Sequence, residues 1–312
     1  MRYKSCDLIE HGIDFAQDGI TFCCRKTDKN GCFHYFMKDY NGGELNLREF
    51  FKLKQSYREK MKTGECIAEC DGCEFLVEKD YDDCDYISIL NFNQGNKCNL
   101  ACVYCAKTLG QTCENEEYNV YPLIKELARE GYLRDGGYTT FASGEPTLSP
   151  DFEKLLQTLI DEGMTDIRVL TNGVVYSEAI SYGLRMKSVS IEISVDAGSA
   201  DLFRWIKGKD LYYEVWDNIE KYINVQYSPE LVTVKYIIIP EINDDREEIT
   251  KFLDEAVFRK VRNISFDIEM NWYDENRNCI PNNIKDLVAF TKEEAEKRGL
   301  KYTAVNKASE LI

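Results

Sequence analysis

Three cysteines crowd into the segment NQGNKCNLACVYCAK, where Cys98, Cys102 and Cys105 form a C-x3-C-x2-C spacing. Three thiolates on one short loop can hold three irons of a cubane iron–sulfur cluster and leave the fourth iron without a protein ligand, open to an exogenous chelator. Zinc is the competing chemistry. It is the weaker option, because no fourth ligand lies at finger spacing and the two histidines, His11 and His34, are remote in sequence. The remaining thiols are unevenly spread. Of 13 cysteines, eight precede residue 85, Cys113 follows the Cys98 loop, and Cys279 stands apart. An odd total prevents a fully paired disulfide set, and clustered thiols in a reducing compartment usually mean metal.

These residues need elements to position them. From about residue 85 the 312-residue chain settles into a rhythm of short β-branched run, turn and amphipathic helix. Strands are expected at Tyr86 to Phe92, Tyr138 to Ala142, Ile167 to Leu170, Val189 to Val195, Leu231 to Ile239 and Ile264 to Met270. Apolar residues at helical spacing fill the intervals, as at Phe152, Leu155, Leu156, Leu159 and Ile160, a helix that Ser149 would cap, with Pro150 at its first position and Gly163 just past its end. Strand–helix alternation without a G-x-G-x-x-G after the first strand predicts an α/β barrel, complete or partial, with chemistry at the carboxyl ends of the strands. Residues 1–84 lack this rhythm and predict a small cysteine-rich module ahead of a barrel spanning 85–312. One charged helix is expected there, from about Leu47 to Lys62.

Composition narrows the partners. Thirty-nine Lys and Arg against fifty-five Asp and Glu give a net charge of −16, which disfavours broad contact with a nucleic-acid backbone. The N-terminus has no signal-like apolar region, and no apolar run is long enough to span a bilayer, so a soluble, cytoplasmic protein without membrane contact is expected.

The Cys98 loop, with Tyr104 before its last cysteine and a strand before it, resembles the signature of the radical S-adenosylmethionine (SAM) superfamily. Further motifs follow in order on successive strands. Ser143-Gly144-Glu145-Pro146 resembles the family's Gly-Gly-Glu-Pro motif along the methionine amino group of SAM, with Ser143 replacing the first glycine. Asn172 after the third strand looks like the family too, as do Ser194 and Asp196 at the end of the fourth, where the resemblance implies contacts to the ribose and carboxylate of SAM. The segment around Ile238 on the fifth strand resembles the one that lies against adenine. The likeness covers roughly residues 86–306 and implies a partial (β/α)6 radical SAM barrel. It also implies a 4Fe–4S cluster on Cys98, Cys102 and Cys105, reductive cleavage of SAM to a 5'-deoxyadenosyl radical, and hydrogen abstraction from a substrate carbon. A flavodoxin- or ferredoxin-type electron donor goes with that chemistry.

Ahead of the barrel, Cys6 and Cys24 with Gly19 between them form C-x12-G-x4-C, followed by the C-x2-C pair Cys70 and Cys73. This resembles the auxiliary-cluster segment of SPASM and twitch enzymes, although in those relatives it usually follows the barrel. The resemblance implies a second 4Fe–4S cluster on Cys6, Cys24, Cys70 and Cys73. Cys23, Cys32 and Cys84 are alternative ligands, and zinc is an alternative metal. Cys66, Cys70 and Cys73 repeat the C-x3-C-x2-C spacing but have no strand before them. Cys279 lies where some radical SAM epimerases keep a hydrogen-donating thiol, and a loop cysteine without a role is the plainer reading. Modification of a ribosomally made peptide is the leading expectation. Epimerisation or dehydrogenation of a sugar or aminoglycoside-like molecule is the alternative, and a non-catalytic iron–sulfur or zinc redox protein is the reading of another class.

Overall fold

The computed structural model describes residues 2–23, 35–65, 67, 70–80, 84–110, 117–149 and 151–311. Two compact units divide the chain, Met1–Lys97 with Cys113–Arg168, and Cys98–Thr112 with Val169–Ile312.

The first unit contains β1 (Arg2–Ser5), α1 (Asp7–His11), β2 (Gly12–Ala16), β3 (Gly19–Thr21), β4 (Tyr35–Lys38), α2 (Leu47–Thr63), β5 (Val77–Asp80), β6 (Ile89–Phe92), α3 (Tyr121–Arg129), β7 (Thr139–Phe141) and α4 (Phe152–Asp161). Its strands lie in the order β7-β6-β2-β3-β4, parallel from β7 to β2 and antiparallel beyond, with β1 and β5 a separate antiparallel pair. Thus β2, from the cysteine-rich segment, aligns Gly12 with Ile89 and Phe15 with Phe92, and residues on both sides of position 85 share one unit. Alternation sorts the side chains. Phe15, Phe92 and Phe141 stack on one face, with centroids 5.1 and 4.3 Å apart, and Phe152 meets Phe141 edge-on. On the other face Asp14 aligns with Asn91, and Asn91 with Thr140.

The anticipated charged helix is α2, where the Asn46 side chain accepts from Glu49 N and Gly64 closes the other end at φ +76°. One expected cap is corrected. A 3-10 turn at Pro146–Leu148 intervenes before α4, so Asp151 rather than Ser149 holds the cap position. Pro150 lies outside the described residues.

The second unit takes β8 (Ile167–Thr171) from Val169 on, then α5 (Glu178–Met186), β9 (Val189–Ser194), α6 (Ala200–Lys207), α7 (Tyr212–Val225), β10 (Val232–Ile238), α8 (Arg246–Phe258), β11 (Asn263–Ile268), α9 (Met270–Asn276), α10 (Asn282–Lys297) and β12 (Lys301–Ala304). Strands β8 to β12 lie side by side in chain order, with β9 to β12 parallel. Each of the six strands expected from the apolar runs is present, within three residues at its ends, and β12 is additional. Val234, Tyr236 and Ile238 alternate with half-buried Thr233, Lys235 and Ile237 along β10. The first set packs under the helices, Tyr236 lying 5.0 Å from Phe252 between centroids. Burying such side chains contributes roughly 1.5–3 kcal/mol apiece. The opposite face collects Glu192, Lys235 and Asp267, with the Lys235 ammonium 3.7 Å from Glu192 and 3.4 Å from Asp267.

Candidate active site

In the second unit the half-buried Cys98, Cys102 and Cys105 sit on a loop without regular structure. Its shape comes from hydrogen bonds. Cys105 N donates to Cys102 O at 3.0 Å, Ala101 N to Lys207 O at 3.0 Å and Val103 N to Ile206 O at 2.9 Å. Asn172, at the end of β8, places its side-chain nitrogen 3.7 Å from Cys98 Sγ and 2.7 Å from Asn99 Oδ1. Burial pushes the Cys102 thiol up from its ordinary value, the Lys207 ammonium pulls it down, and Asp196, Cys98 and Cys105 push it up again. The three thiols are thus neighbours, yet among the described residues no three His, Cys, Asp or Glu side chains converge as one ion requires. Three thiols on one loop are a donor set that fits three irons of a cubane cluster, the fourth iron needing no protein ligand.

Asp196, two residues past the end of β9, is in the left-handed region at φ +61°, which Asp tolerates better than most residues. It is fully buried, and its carboxylate is satisfied within the protein. One oxygen accepts from Ile237 N at 2.7 Å, and the other accepts from Tyr104 OH at 2.5 Å and from the Lys207 ammonium. The resemblance implies a SAM contact for Asp196, and in the structure its carboxylate faces Tyr104 of the cysteine loop. Tyr104 is likewise bound inward, its hydroxyl also accepting from Lys207 at 2.9 Å, and burial followed by Asp196 pushes that hydroxyl well above the usual phenol range. Ser194 is half-buried one position beyond Ile193 on the Lys235 face. The Ile238 side chain is in the core, and the half-buried side chain of that segment is Ile237.

In the first unit Ser143 Oγ donates to Gly95 O at 2.6 Å, and Glu145 N donates to Lys97 O at 2.7 Å. Gly144 between them has φ +62°, and a Cβ there would meet Lys97 O at 2.7 Å, so glycine is required. The substituting Ser143 therefore supports the turn through its hydroxyl. The buried Glu145 accepts from Thr147, and Pro146 opens the 3-10 turn.

Among the N-terminal thiols, Cys6 is buried at the cap of α1, its thiol pushed up by burial while the amides of Ile9 and Leu8 pull it down and Cys73 stands near enough to act on it. Cys70 is buried against Tyr3, Ile9 and Met61, and Cys73 N donates to Cys70 O at 3.0 Å. Cys6 also lines a cleft of about 500 Å3 with His11 and Tyr86. Cys24, Cys32, Cys66 and Cys113 lie outside the described residues. Cys279 is exposed between α9 and α10.

Two residues that hold the site together had no signature in the sequence. Lys207 reads there as an ordinary basic residue in a last helical turn. Asn243 is fully buried, donating to Asp196 O and Ile237 O and accepting from Ile239 N.

A parallel α/β series carrying a three-cysteine loop after a strand and a Ser-Gly-Glu-Pro turn after the next defines a SAM-dependent iron–sulfur fold. The radical SAM superfamily model matches residues 92–253, and the chain belongs to that superfamily, whose enzymes use a 4Fe–4S cluster and SAM. It is 29% identical over 170 residues to a probable GTP 3',8-cyclase of Methanocella arvoryzae, covering 54% of this chain and 52% of that one. Against the GTP 3',8-cyclase of Clostridium botulinum strain Hall it is 28% identical over 172 residues, with coverage of 54% and 52%. The chain therefore spans about half the length of the curated relatives it matches. In fold it is similar to Streptococcus suis SuiB bound to S-adenosylmethionine, with TM-score 0.53, 14% identity and coverage of 86% and 58%. The same holds for SuiB bound to precursor peptide SuiA, with TM-score 0.52, 12% identity and coverage of 98% and 73%, and for anSMEcpe with bound AdoMet, with TM-score 0.51, 18% identity and coverage of 70% and 63%. No described helix is long and apolar enough to cross a membrane.

Proposed function

We propose that Cys98, Cys102 and Cys105 carry the 4Fe–4S cluster of a SAM-cleaving enzyme that acts on a small polar molecule. The observation carrying the reading is the hydrogen-bonded cysteine loop, with an amide nitrogen of Asn172 beside Cys98 Sγ. When bound, the cluster supplies one electron that breaks the C5'–S bond of SAM, giving methionine and a 5'-deoxyadenosyl radical able to take a hydrogen atom from a substrate carbon. The chain's part is to bind and orient. Within the first unit, Ser143, Gly144, Glu145 and Pro146 form a turn that is our candidate for the methionine end of SAM, and within the second, Asn172, Ser194 and the segment around Ile238 are our candidates for its other groups.

The mixed charges on the β9–β11 face favour a small polar substrate over a peptide. Glu192, Lys235 and Asp267 together carry a net negative charge that disfavours a triphosphate such as the one named in the cyclase relatives. Sugars and aminoglycosides fit this mix of donors and acceptors. Cys6, Cys70 and Cys73, with Cys24, are our candidates for an auxiliary cluster within the 1–84 module, and exposed Cys279 is a candidate hydrogen donor for epimerisation. A flavodoxin- or ferredoxin-type donor in a reducing cytoplasm would deliver the electron.

Anaerobic reconstitution with iron and sulfide counts, followed by a 5'-deoxyadenosine assay, tests this reading. About eight irons are expected for two 4Fe–4S clusters and about four for one. Deoxyadenosine formation should rise with aminoglycosides or sugars and not with GTP or basic peptides. No deoxyadenosine under strong reductant refutes the activity, and stimulation by peptides alone refutes the substrate class.

A further inference from the structure

We propose that Lys207 is a positioning residue for the cluster, forming with Asp196 and Tyr104 a buried lock that fixes the cysteine loop on the C-terminal end of α6. The proposal rests on reading Cys98, Cys102 and Cys105 as cluster ligands.

The last turn of a helix leaves carbonyls without intrahelical partners. On α6, Ile206 O and Lys207 O accept from Val103 N and Ala101 N, the amides on either side of Cys102. Gly208 then turns the chain away at φ +71°, and a Cβ there would lie 3.2 Å from Ala101 Cβ. The loop packs closely against the end of α6, so a side chain at 208 would require Ala101 to give way as well as a left-handed backbone.

The Lys207 side chain holds the same loop from a second direction. Its ammonium is bonded to the Asp196 carboxylate and the Tyr104 hydroxyl and lies 5.3 Å from the Tyr104 ring centre. Lysine and aspartate are both essentially inaccessible, at 1% and 0%. Asp196 cannot drift, because Ile237 N holds its carboxylate and Asn243 holds its carbonyl. One residue thus grips position 101 through its main chain and position 104 through its side chain, bracketing Cys102 and reaching the neighbour of Cys105. Apolar residues of similar volume would pack as well as a buried ion pair. What the pair adds is a fixed hydrogen-bonded geometry that does not depend on iron, and a positive charge beside Cys102.

The test compares wild type, Lys207→Met, Lys207→Arg and the double variant Lys207→Met with Asp196→Asn. Three quantities are read: iron release to a chelator from reconstituted protein, the cluster midpoint potential from an EPR-monitored titration, and hydrogen exchange of the Cys98–Gly110 peptide in iron-free protein. Lys207→Met is expected to release iron at least tenfold faster, to exchange faster in that peptide, and to make the potential more negative because Asp196 loses its counter-charge. Lys207→Arg should keep the wild-type potential. The double variant leaves no buried charge unpaired, so it keeps the test open if Lys207→Met does not fold. It should restore the potential toward wild type while iron release stays fast, separating charge from position. Wild-type iron release and wild-type exchange in both Met variants overturn the lock. A wild-type protein that takes up no 4Fe–4S cluster overturns instead the reading beneath it, and the exchange measurement, made without iron, still judges the lock.

Discussion

Replacing Asn243 by alanine gives a direct measure of how the end of β10 is held. The Asn243 side chain makes three hydrogen bonds, accepting from Ile239 N at 2.6 Å and donating to Ile237 O at 2.8 Å and Asp196 O at 2.9 Å. Alanine removes all three in a fully buried place. At about 1 kcal/mol net per bond the loss is about 3 kcal/mol. The unpaired Ile239 amide dominates, since a carbonyl retains a second lone pair. For a domain of this size, at about 2–4 °C per kcal/mol, the melting temperature should fall by about 6–12 °C. Asn243→Asp separates the bonds: it keeps the acceptor for Ile239 N but turns an oxygen toward the carbonyls of Asp196 and Ile237. At neutral pH it should be at least as destabilised as the alanine variant, recovering partly on acidification as the carboxyl regains a proton to donate. Calorimetry and urea unfolding followed by circular dichroism read both effects. An alanine variant melting within about 2 °C of wild type, less than 1 kcal/mol, would show that these bonds do not hold the strand end.

Burial lowers the His11 pKa below its ordinary 6.5, so the unfolded chain takes up a proton that the folded chain refuses. Stability should therefore decline as pH falls through about 6.5. His11→Phe, which retains a ring against Tyr86, should flatten the urea midpoint between pH 7.5 and 5.5, and an unchanged slope would contradict the assignment. In iron-free protein, iodoacetamide should modify exposed Cys279 and Cys84 first. The buried Cys6 thiol and the half-buried Cys102 thiol, both pushed up, should react later, because only the thiolate attacks. Mass spectrometry of a time course gives the order, and early loss of Cys102 would contradict its placement.

Much of this architecture was legible because its physics is local. The runs that became β8 to β11 are apolar on at least one face at period two, and the helices between them carry apolar residues at helical spacing. Strands β1 to β5 escaped notice because they are only three to five residues long and mix apolar residues with glycine and charge, leaving no period to detect. β12, reading Lys-Tyr-Thr-Ala, is half-exposed and carries no buried stripe. In the site, the cysteine spacing and the Ser-Gly-Glu-Pro turn are features of contiguous sequence. The destination of Asp196 is not: its partners at 104, 207 and 237 are brought to it by tertiary structure. Which of Ile237 and Ile238 is buried is a matter of phase along a strand, which the alternation of β10 gives once the core face is known.

The contact between Gly208 and Ala101 bears on which sequences this loop can accept. The three residues between the first two cysteines are not interchangeable spacers. Asn99 receives the amide of Asn172, Leu100 is buried, and Ala101 faces the bare α-carbon of Gly208. Any side chain at 208 would meet both a left-handed backbone and the surface of Ala101 at 3.2 Å, whereas the exposed Ala101 side chain has room on its solvent side. A selection for cluster-loaded protein from a library randomised at 101 and 208 should therefore return glycine at 208 and accept larger residues at 101.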